Sequence, residues 1–124
     1  MTAIYNWTVN QGETTTLLYT RKDSTNAALP FASNTTFRMK VKTAYDVSPP
    51  VLSLLVSDSW FDLNPSDLPS SDQGLHNVRF TLSAAQTAGL TAPSSFVYDI
   101  EAVTGNVVTR ILEGTLITRP EVTD

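Results

Sequence analysis

There is no cysteine among the 124 residues, so a disulfide framework, a thiolate metal site and a thiol nucleophile are all excluded. Histidine occurs once, at His76, and a lone imidazole cannot form a histidine-rich metal site; its plain role is that of a polar residue at a strand end. Glycine is scarce, five in all, with a spacing that fits neither the phosphate loop nor the dinucleotide fingerprint. No serine stands in a nucleophile-elbow pattern. A basic excess is missing as well: eight basic residues face twelve acidic ones, for a formal charge of -4, whereas a nucleic-acid binder gathers positive charge on one face. No apolar run approaches the roughly 18 residues of a membrane span. Met1-Thr2-Ala3-Ile4-Tyr5-Asn6-Trp7 lacks the basic start and apolar block of a signal peptide. These absences predict a non-enzymatic, soluble, acidic protein made in the cytoplasm, with no cofactor or metal and no contact with nucleic acid or membrane.

What is abundant is threonine, eighteen residues with clusters at Thr14-Thr15-Thr16 and Thr35-Thr36. Its branched carbon packs on a pleated surface while its hydroxyl meets water, so the composition points to β structure before any pattern is read. The pattern agrees. Phe96, Tyr98, Ile100 and Ala102 alternate with Asp99 and Glu101, and a turn at Thr104-Gly105-Asn106 separates them from a second run over 107–118. Gly and Asn accept the positive φ of tight hairpin turns. The second run is apolar on both sides in places, which predicts a central, well-covered strand. Further strands are predicted at 5–9, 14–21, 36–42, 51–56 and 77–82. In the cleanest of them Phe37, Met39 and Val41 face one way while Arg38, Lys40 and Lys42 face the other. The three cations form a solvated face, or a surface for an acidic neighbour. Ser83 caps a brief helical turn, 84–88, closed by Gly89. About seven short strands and one helical turn in 124 residues predict a single all-β domain, 1–124, folded as an antiparallel β-sandwich. Phe37, Met39, Val41, Val78, Phe80, Leu82, Tyr98 and Ile100 are its expected core.

The least regular stretch, 57–74, holds Trp60 and Phe61 in a polar setting broken by Pro65, Pro69 and Gly74. Two roles are open to this pair: plugs for one end of the sandwich, or an exposed anchor for a partner, since aromatics dominate interface hot spots. Trp60, Phe61, Tyr5 and Trp7 are the candidate interface residues. Trp7, Trp60 and Tyr45 would be the stacking platforms if the chain were instead a carbohydrate-binding module. Asp58, Asp62, Asp67 and Asp72 have oxygen ligands for a hard cation, but not the spacing of a calcium loop. Asn6-Trp7-Thr8 and Asn34-Thr35-Thr36 match the glycosylation pattern without a secretory signal to use it. Asp99 and Glu101 read as solvated carboxylates.

The run from Val78 to Leu90 (VRFTLSAAQTAGL), then Tyr98-Asp99-Ile100-Glu101, Thr109-Arg110-Ile111-Leu112-Glu113-Gly114-Thr115 and Pro120-Glu121-Val122-Thr123, resembles a family of small tailed-phage virion proteins. Arg38-Met39-Lys40-Val41 resembles it more loosely. The resemblance implies an immunoglobulin-like β-sandwich acting as a collar-ring or fibre connector, repeated around a symmetry axis in the virion. Partners would then be other virion proteins of the tail, baseplate, fibre or capsid, with a homo-oligomeric ring or array. Capsid decoration is the alternative placement within the particle. The matching residues are turn and core positions, and they identify no binding site.

Overall fold

Alternating apolar side chains and β-branched residues put most of the described chain into strands. The computed structural model describes residues 3–22, 24–25, 31–44, 52–54, 60–63 and 78–120, the side chains of 52–54 excepted. Among these, nine strands and one helix follow in the order β1 (Ala3–Ile4), β2 (Trp7–Asn10), β3 (Thr15–Tyr19), β4 (Thr36–Lys42), β5 (Leu52–Leu54), β6 (Phe61–Leu63), β7 (Val78–Leu82), α1 (Ala84–Ala88), β8 (Ser94–Thr104) and β9 (Val107–Arg119). The predicted seven become nine. The strand expected at 5–9 forms as Trp7–Asn10, Ala3–Ile4 pairs ahead of it, and Phe61–Leu63 pairs where an irregular loop is expected.

Two sheets form. The larger has the order β1-β9-β8-β4-β5, with β2 also on β9; the smaller is β3-β7-β6. Both β1 and β2 run parallel to β9, in one continuous register from Ala3↔Leu112 to Asn10↔Arg119. Among the described strands every other pairing is antiparallel. A short helix links the last strand of the small sheet to the centre of the large one. This strand order is that of an immunoglobulin-like sandwich, with the small sheet facing the larger one across a shared core.

The core is the expected one: Phe37, Met39, Val41, Val78, Phe80, Leu82, Tyr98 and Ile100 are all at most 2% exposed. Edge-on rings tie the layers together, with Phe37 against Phe80 at 5.2 Å and against Phe31 at 5.3 Å. Such pairs add about 0.5–1.5 kcal/mol beyond the area they bury. Helix α1 begins at a complete capping box, with Gln86 N–H donating to the Ser83 hydroxyl and Ser83 N–H donating to the Gln86 side chain. It closes at Gly89 as expected, with the Gly89 N–H donating to the Ala85 and Gln86 carbonyls. Gly89 has φ -77°, an ordinary right-handed value that any residue adopts.

The hairpin turn is Gly105-Asn106, with Gly105 at φ 59°. Opposite it the prediction needs correcting. The second arm is double-sided because its register with β8 shifts: Ile100 pairs with Leu112, and Glu101 with Arg110. Ile111 is the extra residue of a β-bulge, and the bend it causes lets consecutive side chains, Ile111 and Leu112, both turn inward. Before the bulge, Val107 and Val108 are exposed (65% and 48%) rather than covered.

Candidate functional site

Two of the three cations of β4 lie opposite acidic residues on the adjacent strand of the same chain. Arg38 lies opposite Glu101 and Lys40 opposite Asp99 in the β4–β8 register. Arg38 Nε donates to Glu101 Oε1 at 2.6 Å; across β8, Arg110 reaches Asp99 at 3.3 Å and Glu113 at 3.7 Å. Burial pushes the Asp99 carboxyl above its ordinary value, Arg110 pulls it down, and Glu101 and Glu113 add to the upward push. Two shallow grooves lie between these rows, one along Arg38, Lys40 and Glu101, the other along Lys42, Val97 and Arg110. They are the furrows of a cross-strand charge ladder. Asp99 and Glu101 are therefore cross-strand ion-pair partners rather than merely solvated carboxylates. On the small sheet Arg79 pairs with Asp62 at 3.1 Å. Asp58, Asp67, Asp72, His76 and Tyr45 lie outside the described residues.

The four candidate interface residues separate. Trp60 is 5% exposed and stacks on Phe80, with ring centroids 5.1 Å apart. Phe61 is half-buried and meets Phe37 edge-on at 5.0 Å. Trp7 is 2% exposed, edge-on to Tyr98 at 6.2 Å, and its indole N–H donates to the Thr15 hydroxyl. These three rings belong to the core, so the exposed-anchor role gives way to the plug, and Trp7 and Trp60 are not carbohydrate platforms. The physical reason is pairing: Phe61 opposes Phe80 in the β6–β7 ladder, which carries the preceding indole over the same inner face. Tyr5 alone is exposed, at 43%. Its carbonyl accepts the Tyr98 hydroxyl at 2.7 Å, across Gly114. Burial pushes the Tyr98 phenol far above its ordinary value, and the neighbouring Tyr5 adds to the rise.

A cleft of about 630 Å³ opens at the hairpin end, between the end of β3 and the first residues of β9. The end is the one where the β3–β4 connection and the β8–β9 turn converge, which in variable immunoglobulin domains carries binding loops. Arg21 lies over the Phe31 ring, 4.1 Å from its centroid, a cation–π contact. The Thr35 and Thr104 hydroxyls, both in the cleft lining, meet at 2.8 Å. Lys22 adds a second cation, and Ala102 and Ile111 complete an apolar floor. Burial raises the Tyr19 phenol at its side, and the Arg21 charge offsets part of that rise. Sequence reasoning missed this cleft. The available signal was Val107-Val108 directly after the turn, two apolar residues where alternation calls for one.

No family model matches the chain, and no curated protein matches it. Among solved structures it is similar to a mutant extracellular fragment of novel immune-type receptor 11, at 14% identity over 94% of this chain and 98% of that one, with a TM-score of 0.40.

Proposed function

We propose that this protein is a non-enzymatic structural component of a tailed-phage particle, a multi-copy connector at the tail, neck or baseplate that holds fibres or neighbouring tail proteins. One observation carries the idea of an adhesive module. Among the described residues the exposed large apolar side chains are Ile4, Tyr5, Val107, Val108 and Ile117, and all of them belong to β9 or to the segment paired with it. A monomer gains nothing by exposing such a series along one strand and its partner; an assembly surface does. Arg38, Asp99, Glu101, Arg110 and Glu113 on the broad sheet face are meanwhile engaged with one another. The resemblance of 78–90, 98–101, 109–115 and 120–123 to virion proteins supplies the setting. Those stretches supply β7, α1 and much of β8 and β9, so they are scaffold, and function falls to the strand edge and loops they display.

Electron microscopy of purified particles, with the protein located by a specific antibody, tests the reading. Rings or multi-copy density at the tail, neck or baseplate is the expected result. A lattice on the capsid faces would move the protein to head decoration. A monomeric chain absent from particles, or one that binds glycans in a soak, would overturn the connector.

A further inference from the structure

We infer that the segment carrying β1 and β2, residues 3–10, exchanges between two copies of this chain, each laying its own segment along the β9 of the other. The inference goes beyond the connector reading and stands without it. Among the described residues β1 and β2 take all their strand pairing from β9, far along the chain, in one parallel register. The seat on β9 is fitted to this segment. Tyr5 N–H donates to the Glu113 carbonyl, the Tyr98 hydroxyl to the Tyr5 carbonyl, and Thr115 N–H to the Asn6 side chain. Gly114 leaves the room that the Tyr5 carbonyl occupies. Trp7 and Val9 are buried there, the indole edge-on to Tyr98 and donating to the Thr15 hydroxyl. None of these contacts requires segment and seat to belong to one chain. Residues 3–10 of a second copy satisfy every one of them, and Gly114 fixes their register by admitting the break at Tyr5-Asn6.

What directs the segment to its own β9 is the turn at residues 11–14. It holds Gly12 at φ 85°, a left-handed value, and closes with Glu13 N–H donating to the Asn10 carbonyl at 3.1 Å. The turn also leads from one sheet to the other, since β2 belongs to the larger and β3 to the smaller. Drawn out, it runs β2 straight into β3 and carries the segment off its own sheet. The closed and exchanged forms then differ in the turn alone, including the bonds that Gly12 N–H and the Glu13 carbonyl make to Thr87. Two forms with nearly the same contacts lie close in free energy, and concentration tips the balance between them. Synthesis favours the exchange as well. β9 is made after β1 and β2, so the finished β9 of a neighbouring copy can take the waiting segment before the chain's own β9 exists.

The test uses the full chain, which has no cysteine of its own. Chains carrying Thr8→Cys and chains carrying Ile117→Cys, exposed neighbours in the β2–β9 register, are coexpressed, purified together and mildly oxidised. The expected product is a covalent dimer joined 8 to 117, identified by mass spectrometry, because adjacent strands hold the two sulfurs within bonding reach. Gly12→Ala strains the closed turn, and the opened hinge relieves that strain. Size-exclusion chromatography with light scattering should then show the monomer–dimer constant tightened about tenfold or more. Gly105→Ala strains a second left-handed turn, at φ 59°, outside the hinge, and should leave that constant unchanged. The cysteine pair keeps the test decisive if Gly12→Ala fails to fold. A chain that stays monomeric at every concentration would overturn the inference, as would dimers linked only 8 to 8 or 117 to 117. So would a Gly12→Ala variant no more dimeric than the natural chain.

Discussion

Trp60 follows Ser57, Asp58 and Ser59 in sequence, yet its indole stacks on Phe80 and meets Phe61 at 5.9 Å. Trp60→Ala should therefore cost about 3–5 kcal/mol, the usual loss for a buried large ring. Urea unfolding of the purified monomer measures it, and any loss of assembly should follow passively from the loss of folding. A change below about 1 kcal/mol would show the ring to be loosely held. The core side chains of β4, β7 and β8 were legible because each strand repeats apolar and polar residues with period two over five or more positions. Trp60 was not, because its strand is three residues long and polar residues precede it. What fixes the indole is a partner strand that follows some twenty residues later, and no local period encodes that.

At the scale of elements, the junction of β1, β2 and β9 depends on one missing side chain. Gly114 faces Tyr98 across the β8–β9 ladder, and a Cβ there would fall onto the Tyr5 carbonyl and lie 3.3 Å from the Asn6 side chain. That crowding is backbone against backbone in part, so it cannot be relieved by a rotamer change. Gly114→Ala is expected to cost about 1–3 kcal/mol or more. It should also speed hydrogen exchange at the amides of Tyr5 and Thr115, which donate to the Glu113 carbonyl and the Asn6 side chain. Gly89→Ala is the control. Its φ is right-handed and its nearest neighbour lies 3.5 Å away, so it should be neutral or stabilising by about 0.4–1 kcal/mol. Helix α1 and β4 were readable to the residue, from a capping box and a clean alternation. The parallel pairing of the first strands with the last was not, since a pairing between chain segments a hundred residues apart leaves no mark in either. The bulge at Ile111 left only an ambiguity, an apolar run on both faces, which burial resolves at Ile111 and Leu112 and exposure resolves at Val107 and Val108.

For the molecule as a whole, the charge ladder across β4, β8 and β9 couples stability to pH through Asp99. Its folded value lies above the ordinary 3.8, so its contribution is fully present below that value and is lost as pH rises through the folded value. Asp99→Asn removes that dependence. The variant's stability relative to the natural chain should rise from about pH 4 to about pH 7, read by urea unfolding at each pH. A constant difference would mean that Arg110 and Lys42 fully offset the burial. The order of pairing also has a temporal side. Ala3 and Trp7 find their partners only at Leu112 and Leu116, and the hairpin that presents those partners is the last part of the sheet to be translated. At about 5–20 residues per second the ribosome leaves the first strands waiting several seconds or longer. During that interval Trp7 and Val9, both buried in the finished sheet, have no β9 to pair with. Yield of the nascent chain in cells should accordingly depend on chaperone supply, and a circular permutant that begins at Asn106 and links the two termini would be expected to shorten the wait.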